Sequence, residues 1–261
     1  MKVSAIQPEL IFNEPEQNEQ MIERLTDQAI QTEQPDTIVL PEMWNVSFFP
    51  EDLSKHADKD GQRSKVFLSR LSKKHKVNIV GGTVATVFNG SYYNTGYQYD
   101  RKGQLIGTYH KVHLFSPSGE HEQFTPGQEL GIFEIDGVKA GIATCYDLRF
   151  TEWIRMLALK EIEILFVPAA WPHPRVFHWE TLLKARAIEN QVFVAGVNGA
   201  GKTDKLAFCG HSLLLDPLGN TLANAEEKEQ ILTAEFDLPL RNQVKSQINV
   251  FQDRRPDLYQ L

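Results

Sequence analysis

The sequence has few cysteines, no long hydrophobic run and no concentration of positive charge. Its 261 residues contain only Cys145 and Cys209, which lie far apart and outside any CxxC motif. This pattern disfavours both a disulfide framework and a structural zinc site. The longest apolar stretch, residues 164–171, includes a proline and is too short to span a bilayer. The net charge is -7, without the basic stripe that a phosphate backbone requires. We therefore expect no membrane span and no nucleic-acid partner.

A further absence concerns the compartment. The first residues, MKVSAIQPEL, lack the apolar core and small-residue cleavage site of a secretory signal, and their alternation is typical of a strand. Two unpaired thiols suit a reducing environment. These features predict a cytoplasmic protein.

Strand-like and helix-like segments alternate along the chain. Residues 16–31 repeat apolar side chains at helical spacing, and residues 36–42 form a short buried strand. Turn residues predict hairpins around 100–103 and around Asp136-Gly137, and a third hairpin pairs residues 208–217 with 231–238 through the turn PLGN. Because hairpins interrupt the alternation, we predict an α/β protein with mixed sheets and helices on the outer faces. No linker or repeat divides it, so residues 1–261 are predicted to form one domain.

Three chemically capable residues follow predicted strands. Glu42 ends DTIVLPE, Lys111 ends GQLIGTYHK and Cys145 ends VKAGIATC. Taken singly, each charged residue is more often a solvated loop residue, and the cysteine is more often a packing residue. Sites on α/β sheets collect at strand ends, however, and all three types occur there together. Their coincidence favours a catalytic interpretation.

The stretch GIATCYDLRF indicates a strand-to-helix elbow with Cys145 at its tip, since a helix is predicted from Thr151. A helix N-terminus favours a thiolate and offers N–H groups to a developing oxyanion. The N–H of Tyr146 is one candidate donor. Asp147 and Arg149 are predicted to pair with each other and brace the elbow.

These motifs, in this order, resemble those of the nitrilase superfamily of carbon-nitrogen hydrolases. The resemblance rests on LPEMW, YHKVHLF and GIATCYDLRF, and extends to NQVFVAGVN and HSLLLDPLGN, so that it covers nearly the whole chain. Within the family, the sequence is most similar to the ω-amidase branch, on the stretches CYDLRF, WPHPR and HWETLLKARAIENQ. The resemblance implies a single-domain α-β-β-α sandwich and a homodimer.

The resemblance also implies a Glu-Lys-Cys triad that needs no cofactor. Glu42 would act as general base, with its pKa raised by burial, Lys111 would stay charged and bind the oxyanion, and Cys145 would be the nucleophile. The family places a second glutamate ahead of a Pro-Gly pair. In GEHEQFTPG, Glu120 matches that position best, and Glu122 remains an alternative.

The specificity pocket is less well marked. Arg175 is a candidate to bind a substrate carboxylate, and Trp44, Phe115 and Trp171 are candidate pocket walls, although a surface or core role is open for each. The histidines are not spaced with acids as metal ligands, so no metal is expected. An alternative to the triad is a papain-like Cys-His pair in which Cys145 uses one of two histidines, His173 or His178.

The resemblance thus implies a hydrolase of a small amide substrate, such as the keto-acid monoamide α-ketoglutaramate, that acts through a thioester. A nitrilase or N-carbamoyl-amide hydrolase with the same triad is one alternative. A binding or scaffold protein with the same fold is another, disfavoured because all three triad residue types are present.

Overall fold

Two β-sheets pack face to face, and helices cover their outer faces. The fold is described from a computed structural model, which describes residues 1–48, 50, 52–203 and 206–259. The strands are β1 (Lys2–Gln7), β2 (Thr37–Val39), β3 (Asp58–Lys59), β4 (Asn78–Val80), β5 (Val84–Phe88), β6 (Ser91–Tyr99), β7 (Leu105–His110), β8 (Gly131–Ile135), β9 (Val138–Ile142), β10 (Ile164–Ala169), β11 (Phe193–Asn198), β12 (Leu213–Leu215), β13 (Thr221–Asn224) and β14 (Gln230–Glu235).

Helices connect and flank these strands. They are α1 (Pro15–Glu33), α2 (Leu53–His56), α3 (Gln62–His75), α4 (Glu120–Gln123), α5 (Thr151–Leu159), α6 (Val176–Asn190) and α7 (Pro239–Gln247), with short 3-10 helices at Ser116–Ser118, Cys145–Arg149 and His173–Arg175. Among the described residues, none of the helices combines the length and the apolarity needed to cross a membrane.

Both sheets are mixed, as predicted. The first has the order β14-β1-β2-β4-β6-β5-β3, with β7 paired to β6, and it combines parallel pairs such as β1 with β2 and antiparallel pairs such as β4 with β6. The second has the order β13-β12-β11-β10-β9-β8, with β9, β10 and β11 parallel and the other pairs antiparallel. Parallel strands therefore occupy the centre of each sheet, where both faces are buried.

Apolar side chains define three layers of core. Side chains of both sheets, among them Val39, Tyr109 and Phe166, meet in the central layer. The first sheet packs against α1 and α3 on its other face, and the second packs against α5 and α6. This is the predicted α-β-β-α sandwich.

Two of the predicted hairpins are confirmed, and the third is wrong. β6 pairs with β7 and β8 with β9, both antiparallel. The strand β12, however, turns back onto β13 rather than onto β14. The Asp216 carboxylate accepts the N–H groups of Leu218 and Asn220, at 2.8 and 2.9 Å, which closes a tight turn and returns the chain directly after it. The strand β14 is then available to pair with β1 in the other sheet over six residues.

Candidate active site

The candidate catalytic residues lie where strands of both sheets end. Glu42 follows β2 and Lys111 follows β7 of the first sheet, whereas Cys145 follows β9 of the second. The Glu42 N–H donates to the Ala169 carbonyl at the end of β10, at 3.3 Å. The strand ends of the two sheets therefore meet directly.

A close backbone approach holds the segment that carries Glu42. The Thr83 N–H donates to the Pro41 carbonyl at 3.1 Å, and the Met43 N–H donates to the Thr83 hydroxyl at 3.0 Å. Gly82 lies between these contacts with φ +56°, and a Cβ atom there would come within 2.0 Å of the Pro41 oxygen. Only glycine fits this position without a shift of backbone.

Lys111 is buried between two carboxylates. Its Nζ lies 2.8 Å from Glu42 Oε1 and 3.0 and 2.8 Å from the two oxygens of Glu120. All three side chains are at most 1% exposed. Since a buried charge is costly unless paired, the ammonium and the carboxylates stabilise one another in this site.

Of the two candidate second glutamates, Glu120 contacts Lys111 and Glu122 does not. Glu120 is buried at the start of α4, and its Oε2 also accepts the Phe115 N–H at 2.6 Å, whereas Glu122 is exposed. The Pro126-Gly127 pair that follows allows a close approach of two backbone segments. Gly127 donates to the Lys111 carbonyl at 2.9 Å, and a Cβ atom on it would come within 2.1 Å of the His110 oxygen.

Asn94 in β6 is a site residue that the sequence reasoning missed. Its Nδ2 lies 2.8 Å from Glu42 Oε1 and 3.2 Å from Glu120 Oε1. The other Glu42 oxygen accepts the Ala170 N–H at 2.8 Å. Asparagine is depleted in strand interiors, so the Asn in YYNTGYQYD was the available signal.

Cys145 lies at the tip of a strained elbow. It has φ +48°, in the left-handed region that non-glycine residues rarely adopt, and it opens the 3-10 helix Cys145–Arg149 before α5 begins. The predicted strand-to-helix elbow is therefore present, with a 3-10 turn at its apex.

The predicted pairing of Asp147 with Arg149 is wrong. Asp147 is buried and accepts the Thr144 N–H at 2.8 Å, the Tyr109 hydroxyl at 2.7 Å and the His113 N–H at 2.9 Å. It braces the elbow by tying it to β7 and to the segment after Lys111. Arg149 instead contacts Trp171, with its guanidinium 4.8 Å from the centre of the indole ring.

Burial and charge shift the pKa values of the three central groups. Burial raises the pKa of Glu42, as predicted, and the negative charge of Glu120 adds to this effect, although Lys111 opposes it. Burial acts to lower the pKa of Lys111, but the two carboxylates outweigh it and keep the ammonium charged. Burial and the charge of Glu42 raise the pKa of Cys145 well above its ordinary value, and Lys111 only partly offsets them. These effects of burial and charge oppose the thiolate that the helix N-terminus was expected to favour.

A cavity of about 390 Å³ opens in front of Cys145. Tyr146, Phe115, Trp171 and Arg175 line it, so these predicted pocket residues are brought together. Other lining residues, which the sequence reasoning did not identify as pocket residues, include Phe48, Pro50, Arg149, Ala170 and Leu206. The Arg175 guanidinium lies 5.4 Å from the Phe115 ring centre. The cavity therefore combines aromatic walls with two cations.

Trp44 is a core residue rather than a pocket wall. It is fully buried, packs against Phe67 with 5.5 Å between ring centres, and donates its indole N–H to the Gly81 carbonyl at 2.8 Å. The alternative interpretation, a core role for Trp44, is therefore confirmed. Cys209 is likewise buried in the core, with the Asn198 amide 3.1 Å from its sulfur, which confirms its packing role.

The histidines do not form a pair with Cys145. His173 is exposed and contacts Glu227 at 3.1 Å, and His178 contacts Arg149 at 3.3 Å. Glu42, Lys111 and the Ala170 backbone act on the Cys145 thiol. The Cys-His alternative has no support in this arrangement. Within the described ranges, no three His, Cys, Asp or Glu side chains are grouped to hold a metal ion.

The fold and the site together define a cysteine hydrolase built on an α-β-β-α sandwich. The family model for carbon-nitrogen hydrolases matches residues 2–246. The chain belongs to the carbon-nitrogen hydrolase family, the nitrilase superfamily, as its motifs indicated.

Individual relatives and structures agree with this assignment. The chain is 42% identical over 257 residues to a 2-oxoglutaramate amidase of Bacillus subtilis (strain 168), covering 98% of each chain. It is 33% identical to Omega-amidase NIT2 of Danio rerio, covering 85% of this chain and 83% of that one. Saccharomyces cerevisiae Nit3, of branch 10 of the nitrilase superfamily, superposes with a TM-score of 0.92 at 28% identity over 98% and 96% of the two chains. The predicted resemblance to the ω-amidase branch is confirmed.

Asp147 offers a test of the elbow. In Asp147→Asn, an amide N–H faces donors that the carboxylate accepted, so we expect about 2 kcal/mol lower stability. Displacement of the thiol should also lower turnover by about 10- to 100-fold. Denaturant unfolding and steady-state amide hydrolysis measure the two effects.

Asp216→Asn is the matched control, because Asp216 is a buried acid that also accepts turn N–H groups, outside the cavity lining. It should lose stability with near-normal turnover. Equal turnover in the two variants would contradict the bracing role of Asp147.

Proposed function

We propose that this enzyme hydrolyses the terminal amide of a small keto-acid monoamide, with α-ketoglutaramate as the representative substrate, to a carboxylate and ammonia. The observation that carries the proposal is a thiol within the electrostatic influence of the buried Glu42-Lys111 pair, at a cavity that is also lined by two arginines. The name of the Bacillus subtilis relative, 2-oxoglutaramate amidase, supports the same substrate class.

In the first half-reaction, Cys145 attacks the amide carbon while its proton passes to Glu42. A tetrahedral intermediate forms, and its oxyanion is bound by the Lys111 ammonium and the Tyr146 N–H. Glu42 then returns the proton to the amide nitrogen, the C–N bond breaks, and ammonia leaves a thioester on Cys145.

In the second half-reaction, Glu42 takes a proton from water, whose oxygen attacks the thioester carbon. The C–S bond breaks, Glu42 returns this proton to the sulfur, and the product leaves as the carboxylic acid, which loses its remaining proton to solvent and becomes the carboxylate. One group therefore acts as base, acid and base again, which requires a carboxyl whose pKa is raised toward the working pH, the direction that burial gives to Glu42.

The energetic problem is the first proton transfer. In water, a thiol near pKa 8.5 and a carboxylate near 4.3 make it unfavourable by roughly 6 kcal/mol. An ammonium about 4 Å from the developing charge contributes on the order of 4 kcal/mol at an effective dielectric constant near 20. Lys111 is therefore as important to the attack as the base itself. Glu120, which holds two contacts to Nζ, positions that ammonium.

The cavity supports a substrate that carries an anion. Arg149 and Arg175 both line it, and each lowers its cost of desolvation by stacking on an aromatic ring, Trp171 and Phe115. Guanidinium groups recognise carboxylates through paired N–H donors. A volume of about 390 Å³ suits a small molecule. A keto-acid monoamide would present its amide to Cys145 and its carboxylate to the arginines.

Trapping of the acyl-enzyme tests the chemistry. Mixing the enzyme with keto-acid monoamides, nitriles and N-carbamoyl compounds should yield a Cys145 adduct in the mass spectrum and ammonia release, fastest for the monoamides. Cys145→Ala should abolish both, and Cys209→Ala should retain both, because Cys209 lies in the core. Faster turnover of nitriles or N-carbamoyl compounds would favour those alternative activities, and no adduct with any compound would leave only a binding role.

Neutralising the two arginines tests the substrate class. Arg149→Leu and Arg175→Leu should each raise KM for a keto-acid monoamide about 10- to 100-fold, since a charged hydrogen bond contributes about 1.5–3 kcal/mol. A neutral aliphatic amide of similar length should be little affected.

Arg155→Leu is the control for these variants, because Arg155 contacts the Glu189 carbonyl and Phe251 outside the cavity lining. It should leave both KM values unchanged. An equal loss for charged and neutral amides in the Arg149 and Arg175 variants would refute carboxylate recognition.

We further infer a cytoplasmic homodimer, as the family resemblance implies. Exposed apolar side chains on two neighbouring helices support self-association: Met156 and Leu159 on α5, and Phe177 and Ile188 on α6, with Phe177 75% exposed. Sedimentation analysis should give about twice the mass of the 29.7 kDa chain, and Phe177→Ser should weaken the dimer. A monomer at micromolar concentration would exclude this assembly.

A further inference from the structure

Asn94 touches both acids of the site without carrying charge. It lies in β6 and is 1% exposed, and its main-chain carbonyl accepts the Lys111 N–H at 2.9 Å. The two residues are therefore joined by a backbone hydrogen bond. Asn94 Nδ2 and Lys111 Nζ donate to the same two oxygen atoms, Oε1 of Glu42 and Oε1 of Glu120.

The chemistry of the amide determines its orientation. An amide NH2 has two hydrogens, one for each carboxylate, whereas a carbonyl oxygen in the same place would repel both acids. This orientation leaves the side-chain carbonyl oxygen, Asn94 Oδ1, buried with no hydrogen-bond partner among the described residues. A buried acceptor without a partner is destabilising. The side chain is therefore placed for its two N–H donors.

The charges around Glu42 explain what those donors do. The titratable groups that face it are Lys111, Glu120 and Cys145. One ammonium serves two carboxylates, so the site lacks a second cation to balance the second acid. A neutral donor to each carboxylate stabilises the ionised form without adding a charge that would compete with Lys111 for the oxyanion.

We propose that Asn94 is a positioning residue that keeps Glu42 ionised and aimed between Lys111 and Cys145, so that Glu42 can accept the thiol proton at neutral pH. This inference rests on the proposed function, in which Glu42 is the base. It assigns to Asn94 an effect on the protonation state of the base rather than on the fold.

The test is the pH dependence of kcat/KM in Asn94→Leu, which retains the branched shape and removes both donors. Loss of the donors disfavours the carboxylate of Glu42, so its pKa rises further. Because the base must be unprotonated, the acid limb should move up by about one pH unit. At a pH below the limb, kcat/KM should fall about tenfold, and on the plateau it should return to within about threefold of wild type.

Asn45→Leu is the matched control. Asn45 is a buried asparagine three residues after Glu42, but its side chain bonds to the Ala85 backbone, at 3.0 and 3.4 Å, and not to a carboxylate. The Asn45→Leu variant should be less stable than wild type, but the acid limb of its kcat/KM profile should not move. A uniform loss of activity in Asn94→Leu, with the limb unmoved, would overturn the inference.

Two further variants keep the test decisive. If Asn94→Leu does not fold, Asn94→Ser, which removes the amide with less bulk, must move the limb in the same direction, and an unmoved limb rejects the inference. Glu42→Gln separates the two proposals. If it retains activity and the acid limb, the proposed function fails; if it loses turnover while the Asn94 variants keep the wild-type limb, only the role of Asn94 fails.

Discussion

The shared ammonium of Lys111 is the interaction on which the site depends. It lies between two carboxylates, with all three groups removed from solvent. Removal of the ammonium would leave two uncompensated carboxylates in a medium of low dielectric constant, which is strongly destabilising. The same burial that makes the cluster costly raises the pKa of Glu42 and of the Cys145 thiol together. Catalytic capacity and local stability therefore have one physical origin.

The fold meets this demand by bringing two sheets to a common edge and then restricting the backbone there. Gly82 permits the approach that orients Glu42, and Gly127 permits the approach of the Glu120 segment to Lys111. Asp147 ties the Cys145 elbow to β7, which carries Lys111 at its end. Each acid and the nucleophile thus lies on a backbone segment whose position is fixed by a close contact or a hydrogen bond. The main chain rather than flexible side chains sets the distances between these groups.

Much of the fold followed from local pattern. Alternating strands and helices, with the turn residues at 100–103 and 136–137, were enough to predict mixed sheets, outer helices and two hairpins. The third hairpin was wrong because the pairing of β14 depends on the open edge of β1, which is more than 220 positions away along the chain. Local alternation describes a strand, but it contains no information on which distant edge that strand will fill.

The sequence by itself indicated the candidate catalytic groups: Glu42, Lys111 and Cys145 each follow a strand, and polar residues at strand ends collect at the edge of a sheet. Tertiary structure alone decided the rest. Asn94, Ala170 and Arg149 lie in the candidate site, although their positions in the sequence did not indicate it. Trp44 lies in the core. Asp147 accepts hydrogen bonds from Tyr109 and His113 instead of pairing with Arg149. The reason is that hydrogen bonds act over about 3 Å and burial acts on whole clusters. Both depend on which distant segments meet, and that is settled only when the two sheets pack.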